Sequence, residues 1–180
     1  LDVGSSKNTF DYELNANTKA KNYEITKEYG DLTVTAVSTQ IVITANSKTE
    51  VYSGQAVTDS NYTYTGKLAE GDKLEVEVVG SQTDKGSSDN VVRSYKVTRN
   101  GVDVTKNYTF GASQKGTLTV NPRPVTLTSG GGEKEYDGTP LTNSTVTVGG
   151  SGFVKGEGAT YTFTGSQTDK GSSKNWFTYT

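Results

Sequence analysis

The chain has 180 residues, a formal net charge of −2 and no cysteine, histidine or methionine. Those absences remove the commonest nucleophile, general base and soft metal ligands together. No basic stripe with interleaved aromatics marks a nucleic-acid face, and no apolar run approaches the roughly 18 residues of a membrane helix.

Apolar residues are 31% and charged residues 21% of the chain. The apolar ones are mostly Val, Ile, Leu, Tyr and Phe on alternating positions, among abundant Thr and Gly. That pattern predicts an all-β fold rather than disorder. No secretory leader pattern precedes LDVGSSKN, and without cysteine the redox compartment is not readable.

In chain order, a strand is predicted over Gln40–Ala45 (QIVITA). Val51 and Tyr52 lead into a Ser53-Gly54 turn, and Asn61–Thr65 (NYTYT) alternates tyrosine with polar residues. Leu74–Val78 is strictly period two, which puts Leu74, Val76 and Val78 on one face and the glutamates on the other. Val91–Thr98 is a strand, and Arg99-Asn100-Gly101-Val102 carries Asn-Gly, the strongest short hairpin signal. Tyr108–Phe110 and Thr117–Val120 follow. Further on, Thr160–Thr164 (TYTFT) and Trp176–Thr180 read as strands. No stretch reads as a helix of useful length.

The nonapeptide GSQTDKGSS occurs twice, at Gly80–Ser88 and Gly165–Ser173. Other echoes share its spacing: Tyr52-Ser53-Gly54 with Tyr136-Asp137-Gly138, Asn22-Tyr23 with Asn107-Tyr108, Gly30–Val34 with Gly116–Val120, and Gly4–Asn8 with Gly86–Asn90. A period of about 85 residues accounts for all of them. Residues 1–37 are then the later part of one unit, 38–122 a complete unit, and 123–180 the earlier part of a third. About seven short strands per unit match an Ig-like β-sandwich. Pro122-Arg123-Pro124 marks a stiff junction, and Thr35–Thr39, lacking proline, a looser one.

Four segments carry a family resemblance: Glu133–Thr142 (EKEYDGTPLT), Gly165–Ser173, Asp103–Tyr108 (DVTKNY) and Gly116–Pro122 (GTLTVNP). In this order the chain resembles the tandem Ig-like repeats of bacterial surface proteins called MBG repeats (mostly bacterial Ig-like), some known as YDG repeats. Ser53 departs from that pattern, which has aspartate, and the first unit lacks the closing proline. The resemblance implies an extracellular, cell-wall-attached or secreted protein. It implies a spacer or stalk without enzymatic activity, the alternative being an adhesive module for a host glycan or matrix protein. The expected partners are neighbouring repeats.

Candidate sites are weighed against structural roles. In GSQTDKGSS, Lys85 precedes Gly86 and a strand follows, whereas a P-loop needs lysine after its glycine and then a helix, so an inter-strand turn is expected. Asp84 and Asp89 could contribute to calcium binding, but Lys174 takes the position of Asp89 beside Asp169. Asp137 in Tyr136-Asp137-Gly138 has no catalytic partner and becomes Ser53 in the other copy. A Lys48–Asn107 crosslink with Glu77 as the acid needs a buried lysine. Tyrosines and Trp176 could stack sugars, though cross-strand packing is the default. No catalytic, cofactor or metal residue is assigned. The first and last segments together make about one unit. The stronger expectation is a window onto a longer array, and the alternative is head-to-tail complementation between chains.

Overall fold

The computed structural model describes residues 2–180. Among them the regular elements are fourteen strands and two single 3₁₀ turns, Ala20–Asn22 and Thr105–Asn107. The chain is all-β. In order the strands are β1 (Gly4–Lys7), β2 (Asp31–Val34), β3 (Val37–Ala45), β4 (Lys48–Val51), β5 (Tyr62–Thr65), β6 (Asp72–Val79) and β7 (Gly86–Arg99). They continue as β8 (Val102–Asp103), β9 (Tyr108–Phe110), β10 (Gly116–Asn121), β11 (Val125–Ser129), β12 (Val146–Gly150), β13 (Tyr161–Phe163) and β14 (Phe177–Tyr179).

Packing divides the chain into two units. The first comprises the chain up to Ser47, Asp59–Gly80 and Asp89–Thr117; the second comprises Lys48–Thr58, Ser81–Ser88 and Leu118–Thr180.

In the first unit, β3 is flanked by β5, antiparallel, and by β9, parallel. β6 and β7 form a long antiparallel hairpin with a register shift after Glu77, and β8 returns along β7. The turn into β8 is the predicted one, with Asn100 at φ 52° and Gly101 at φ 81°, the left-handed pair that a two-residue hairpin needs. Along β6 the alternation of Leu74, Val76 and Val78 against two glutamates becomes half-buried against exposed. Leu74 and Val76 pack against the buried cluster of Ile41, Ile43, Val97 and Tyr108. β1 pairs antiparallel with β2.

In the second unit, β10 runs parallel to β4. Leu118, Val120 and Val57 form its buried cluster, with Tyr52 against it. β11 pairs with β12, and β13 with β14, each antiparallel.

Two expectations are corrected. Val37–Thr39, expected within a loose junction, belong to β3, and Val37 is paired with Tyr108. Gly86–Ser88, expected in a loop, begin β7, because β7 is hydrogen-bonded to β10, beside which Ser87 Oγ also bonds Thr119 Oγ1 at 3.0 Å. The matching Gly171–Ser173 lie outside any strand.

Candidate functional site

The repeated nonapeptide makes the same side-chain bonds in both copies. Gln82 Nε2 donates to the Asp84 carbonyl at 2.8 Å, and Gln167 Nε2 to that of Asp169 at 2.8 Å. Ser88 Oγ donates to the Ser81 carbonyl at 2.8 Å, and Ser173 Oγ to that of Ser166 at 3.0 Å. Gln82 bridges Val57, and Gln167 bridges Leu141. The glutamine and the last serine of each copy are thus spent on its own backbone. The glycine that follows the lysine sits at φ +144° in one copy and +148° in the other, and Gly4 of the shorter echo is at +155°. That backbone region is open only to glycine.

Two residues beyond the nonapeptide lies a group that sequence reading did not single out. Asn90 is fully buried. Its Nδ2 donates to the carbonyls of Asn46 and Asp59, both at 2.9 Å. Asn175 Nδ2 repeats this with Gly130 and Asn143, at 2.9 and 2.8 Å. Each asparagine clamps two loops that lie 31 to 45 residues away in sequence. Each also leaves Oδ1 buried without a hydrogen-bond partner. Gly80 and Gly165 fit against these asparagines: a Cβ there would fall 2.7 Å from Asn90 Oδ1 or 2.5 Å from Asn175 Oδ1. A signal was present, since GSSKN, GSSDN and GSSKN share the asparagine.

The Tyr-x-Gly motif is a turn. Asp137 Oδ1 accepts from Lys134 Nζ at 2.7 Å, from the Thr139 amide at 2.9 Å and from Thr139 Oγ1 at 2.8 Å. The lysine bond first, then the threonine ones, hold its pKa well below the carboxylate range. A carboxylate so stabilised is a weak base. At the equivalent place Ser53 Oγ accepts from the Gln55 amide at 3.4 Å, so serine replaces aspartate in one turn design.

The remaining candidates are placed as follows. Asp89 pairs with Lys115 at 2.8 Å. No group of three or more His, Cys, Asp or Glu arranged to hold a metal ion occurs among the described residues. Lys48 is well exposed and lies 3.5 Å from Glu50. Glu77 accepts from Arg93 and Ser94, and Asn107 Nδ2 donates to Asp2 at 3.1 Å. Lys48 is therefore not the buried lysine that the crosslink chemistry requires. Trp176, Tyr136 and Tyr179 are exposed, whereas Tyr161, Phe163 and Phe177 pack together across β13 and β14.

The largely apolar cleft of the second unit lies beside Pro122-Arg123-Pro124. It encloses about 340 Å³ between Tyr52, Pro122, Val125, Phe153 and Lys85. Arg123 donates to the Gly152 carbonyl at 2.7 Å and to that of Ser151 at 2.5 Å. The Tyr52 hydroxyl donates to Glu157, and this bond to a carboxylate raises the phenol's pKa. The guanidinium and the phenol are thus occupied in closing the link against the 151–157 loop.

No family model, curated protein or solved structure matches the chain.

Proposed function

We propose that the chain is a run of tandem Ig-like units acting as a non-enzymatic spacer or stalk in a bacterial cell-surface or secreted protein. One observation carries this reading: contacts recur in three dimensions at the spacing of the sequence repeat. Val42↔Thr65 and Ile43↔Tyr64 of β3–β5 correspond to Thr126↔Gly149 and Leu127↔Val148 of β11–β12, in the same antiparallel register. The 3₁₀ turns before Tyr23 and Tyr108 end alike, each tyrosine amide donating to the carbonyl three residues back. The asparagine clamps and the nonapeptide bonds recur as well. Polar groups that recur in order to hold loops together serve architecture. The link at Arg123, bonded to two carbonyls, suits a spacer that resists bending.

A second reading is an adhesive module for a host glycan or matrix protein, favoured by the exposure of Trp176 and Tyr136. The test is binding of the folded chain to immobilised glycans and matrix proteins. The spacer reading expects silence. Saturable binding that is lost in Trp176→Ala or Tyr136→Ala would replace it with the adhesive one.

A further inference from the structure

The aspartate of the nonapeptide is present in the shorter echo as well. Asp2, Asp84 and Asp169 each stand two residues before Gly4, Gly86 and Gly171. Those glycines share a φ of +144° to +155°, so the turn after the acid has one backbone shape in all three copies. The glutamine and the last serine of each nonapeptide bond its own loop, but neither Asp84 nor Asp169 has an ion-pair partner among the described residues. A second short motif also occurs twice, as Lys21-Asn22-Tyr23 and Lys106-Asn107-Tyr108. In both, the lysine and asparagine end a 3₁₀ turn that the tyrosine amide closes.

Inside the first unit one copy of each motif meets the other. Asp2 Oδ2 pairs with Lys106 Nζ at 2.8 Å, and Asp2 Oδ1 accepts from Asn107 Nδ2 at 3.1 Å. Asn107 Oδ1 in turn accepts from the Val3 amide at 2.8 Å. Both carboxylate oxygens and both ends of the carboxamide are therefore engaged. The lysine bond first, then the asparagine one, hold the Asp2 pKa below its ordinary value. The residue after the acid enters these bonds only through its backbone amide, so valine here and lysine in the nonapeptides serve equally. The two sides lie 104 and 105 residues apart in sequence, one in the repeat that ends near residue 37 and one in the repeat that follows. All these groups are exposed, and a lone exposed ion pair contributes little. Three bonds converging on adjacent residues fix register and orientation rather than supply strength.

We propose that the aspartate of this turn is the docking group between successive repeats, and that the Lys-Asn pair of the 3₁₀ turn is its receptor. Asp2 with Lys106 and Asn107 is one such joint, formed within this chain. Asp84 and Asp169 are the same docking group, and Lys21-Asn22 the same receptor. The partner is thus a unit of the same kind that offers a lysine and an asparagine just before a tyrosine. The inference rests on the tandem-repeat reading above and deepens it. It also gives the repeated nonapeptide a role: its glutamine and last serine hold the loop, which leaves the acid for the neighbouring unit.

The chain has no cysteine, so spin labels can be placed at Lys7→Cys on β1 and Thr109→Cys on β9, both exposed. Double electron–electron resonance then reads the distance across the joint. The labelled parent should give one narrow distribution. Asp2→Lys should broaden it severalfold, and Asp2→Lys combined with Lys106→Glu should narrow it again. Rescue by the charge swap is an outcome that a local role of either residue would not give. Val3→Lys, which turns the echo into the Asp-Lys-Gly-Ser-Ser of the nonapeptide, should leave the distribution narrow. Circular dichroism matching the parent excludes unfolding as the cause of any broadening. A broad distribution in the parent, no change in Asp2→Lys, or no rescue by the swap refutes docking. Broadening in Val3→Lys refutes the role assigned to the nonapeptide. The spacer reading fails separately: saturable ligand binding with these distances unchanged would overturn it and leave the joint standing.

Discussion

Replacing Asn90 tests the clamp. Asn90→Ala strips a side-chain donor from two part-buried carbonyls, those of Asn46 and Asp59. Each orphaned carbonyl costs about 1–3 kcal/mol. Removing Oδ1, which is buried without a partner, returns about 1–2 kcal/mol. The vacated volume adds about 1 kcal/mol. The net loss is about 1–6 kcal/mol, a large share of the roughly 5–15 kcal/mol that holds a domain together. Asn90→Asp should cost more at neutral pH, because it turns a carboxylate oxygen toward two carbonyls and buries a charge. Burial and those carbonyls raise the new carboxyl's folded pKa above its unfolded value of about 3.9. Its destabilisation is then greatest at neutral pH and shrinks as pH falls through the folded pKa, where the protonated acid can donate to one carbonyl. The assay is urea denaturation followed by circular dichroism at pH 7 and pH 4, with hydrogen exchange of β3 as the local reporter. The reasoning fails if Asn90→Ala stays within about 0.5 kcal/mol of the parent. It also fails if Asn90→Asp is no worse than Asn90→Ala at pH 7.

Gly80→Ala and Gly165→Ala should each cost about 1–3 kcal/mol, because the added methyl meets backbone and Oδ1 atoms at 2.5–2.9 Å. Gly131→Ala, in open space, should be neutral in the same melts. Leu118→Ala should cost about 2–5 kcal/mol, and Leu32→Ala under about 1 kcal/mol, since equivalent positions differ in burial. The Asp72 pKa is lowered by its bond from Arg99, at 2.5 Å, and then by that from Tyr108. A depressed folded pKa stabilises above the unfolded value near 3.8 and loses that stabilisation as pH falls through the folded one. Denaturation midpoints measured from pH 7 to pH 2 should therefore drop less steeply in Asp72→Asn than in the parent.

Local signals were legible because they act over a few residues. Period two at Leu74–Val78 became one half-buried and one exposed face, and Asn100-Gly101 became a hairpin. Trp176 was harder, since an aromatic beside a strand reads as packing and this one is exposed. The clamp was half legible: the repeated asparagine was visible, but its acceptors Asn46 and Asp59 lie 44 and 31 residues away.

What sequence alone determined was the all-β class, most strand positions and the spacing at which motifs recur. All of these follow from alternation, turn chemistry and self-similarity along the chain. Tertiary structure decided the rest. Lys48–Val51 (KTEV) is charged and exposed with no alternation, and is a strand because β10 lies parallel to it. Tyr23 and Tyr108 follow the same 3₁₀ turn, yet one is exposed and the other buried. The difference lies in β3, which runs beside Tyr108 and has no counterpart beside Tyr23 among the described strands. Whether a repeated residue enters a core depends on a partner strand far along the chain, and no short-range pattern encodes it.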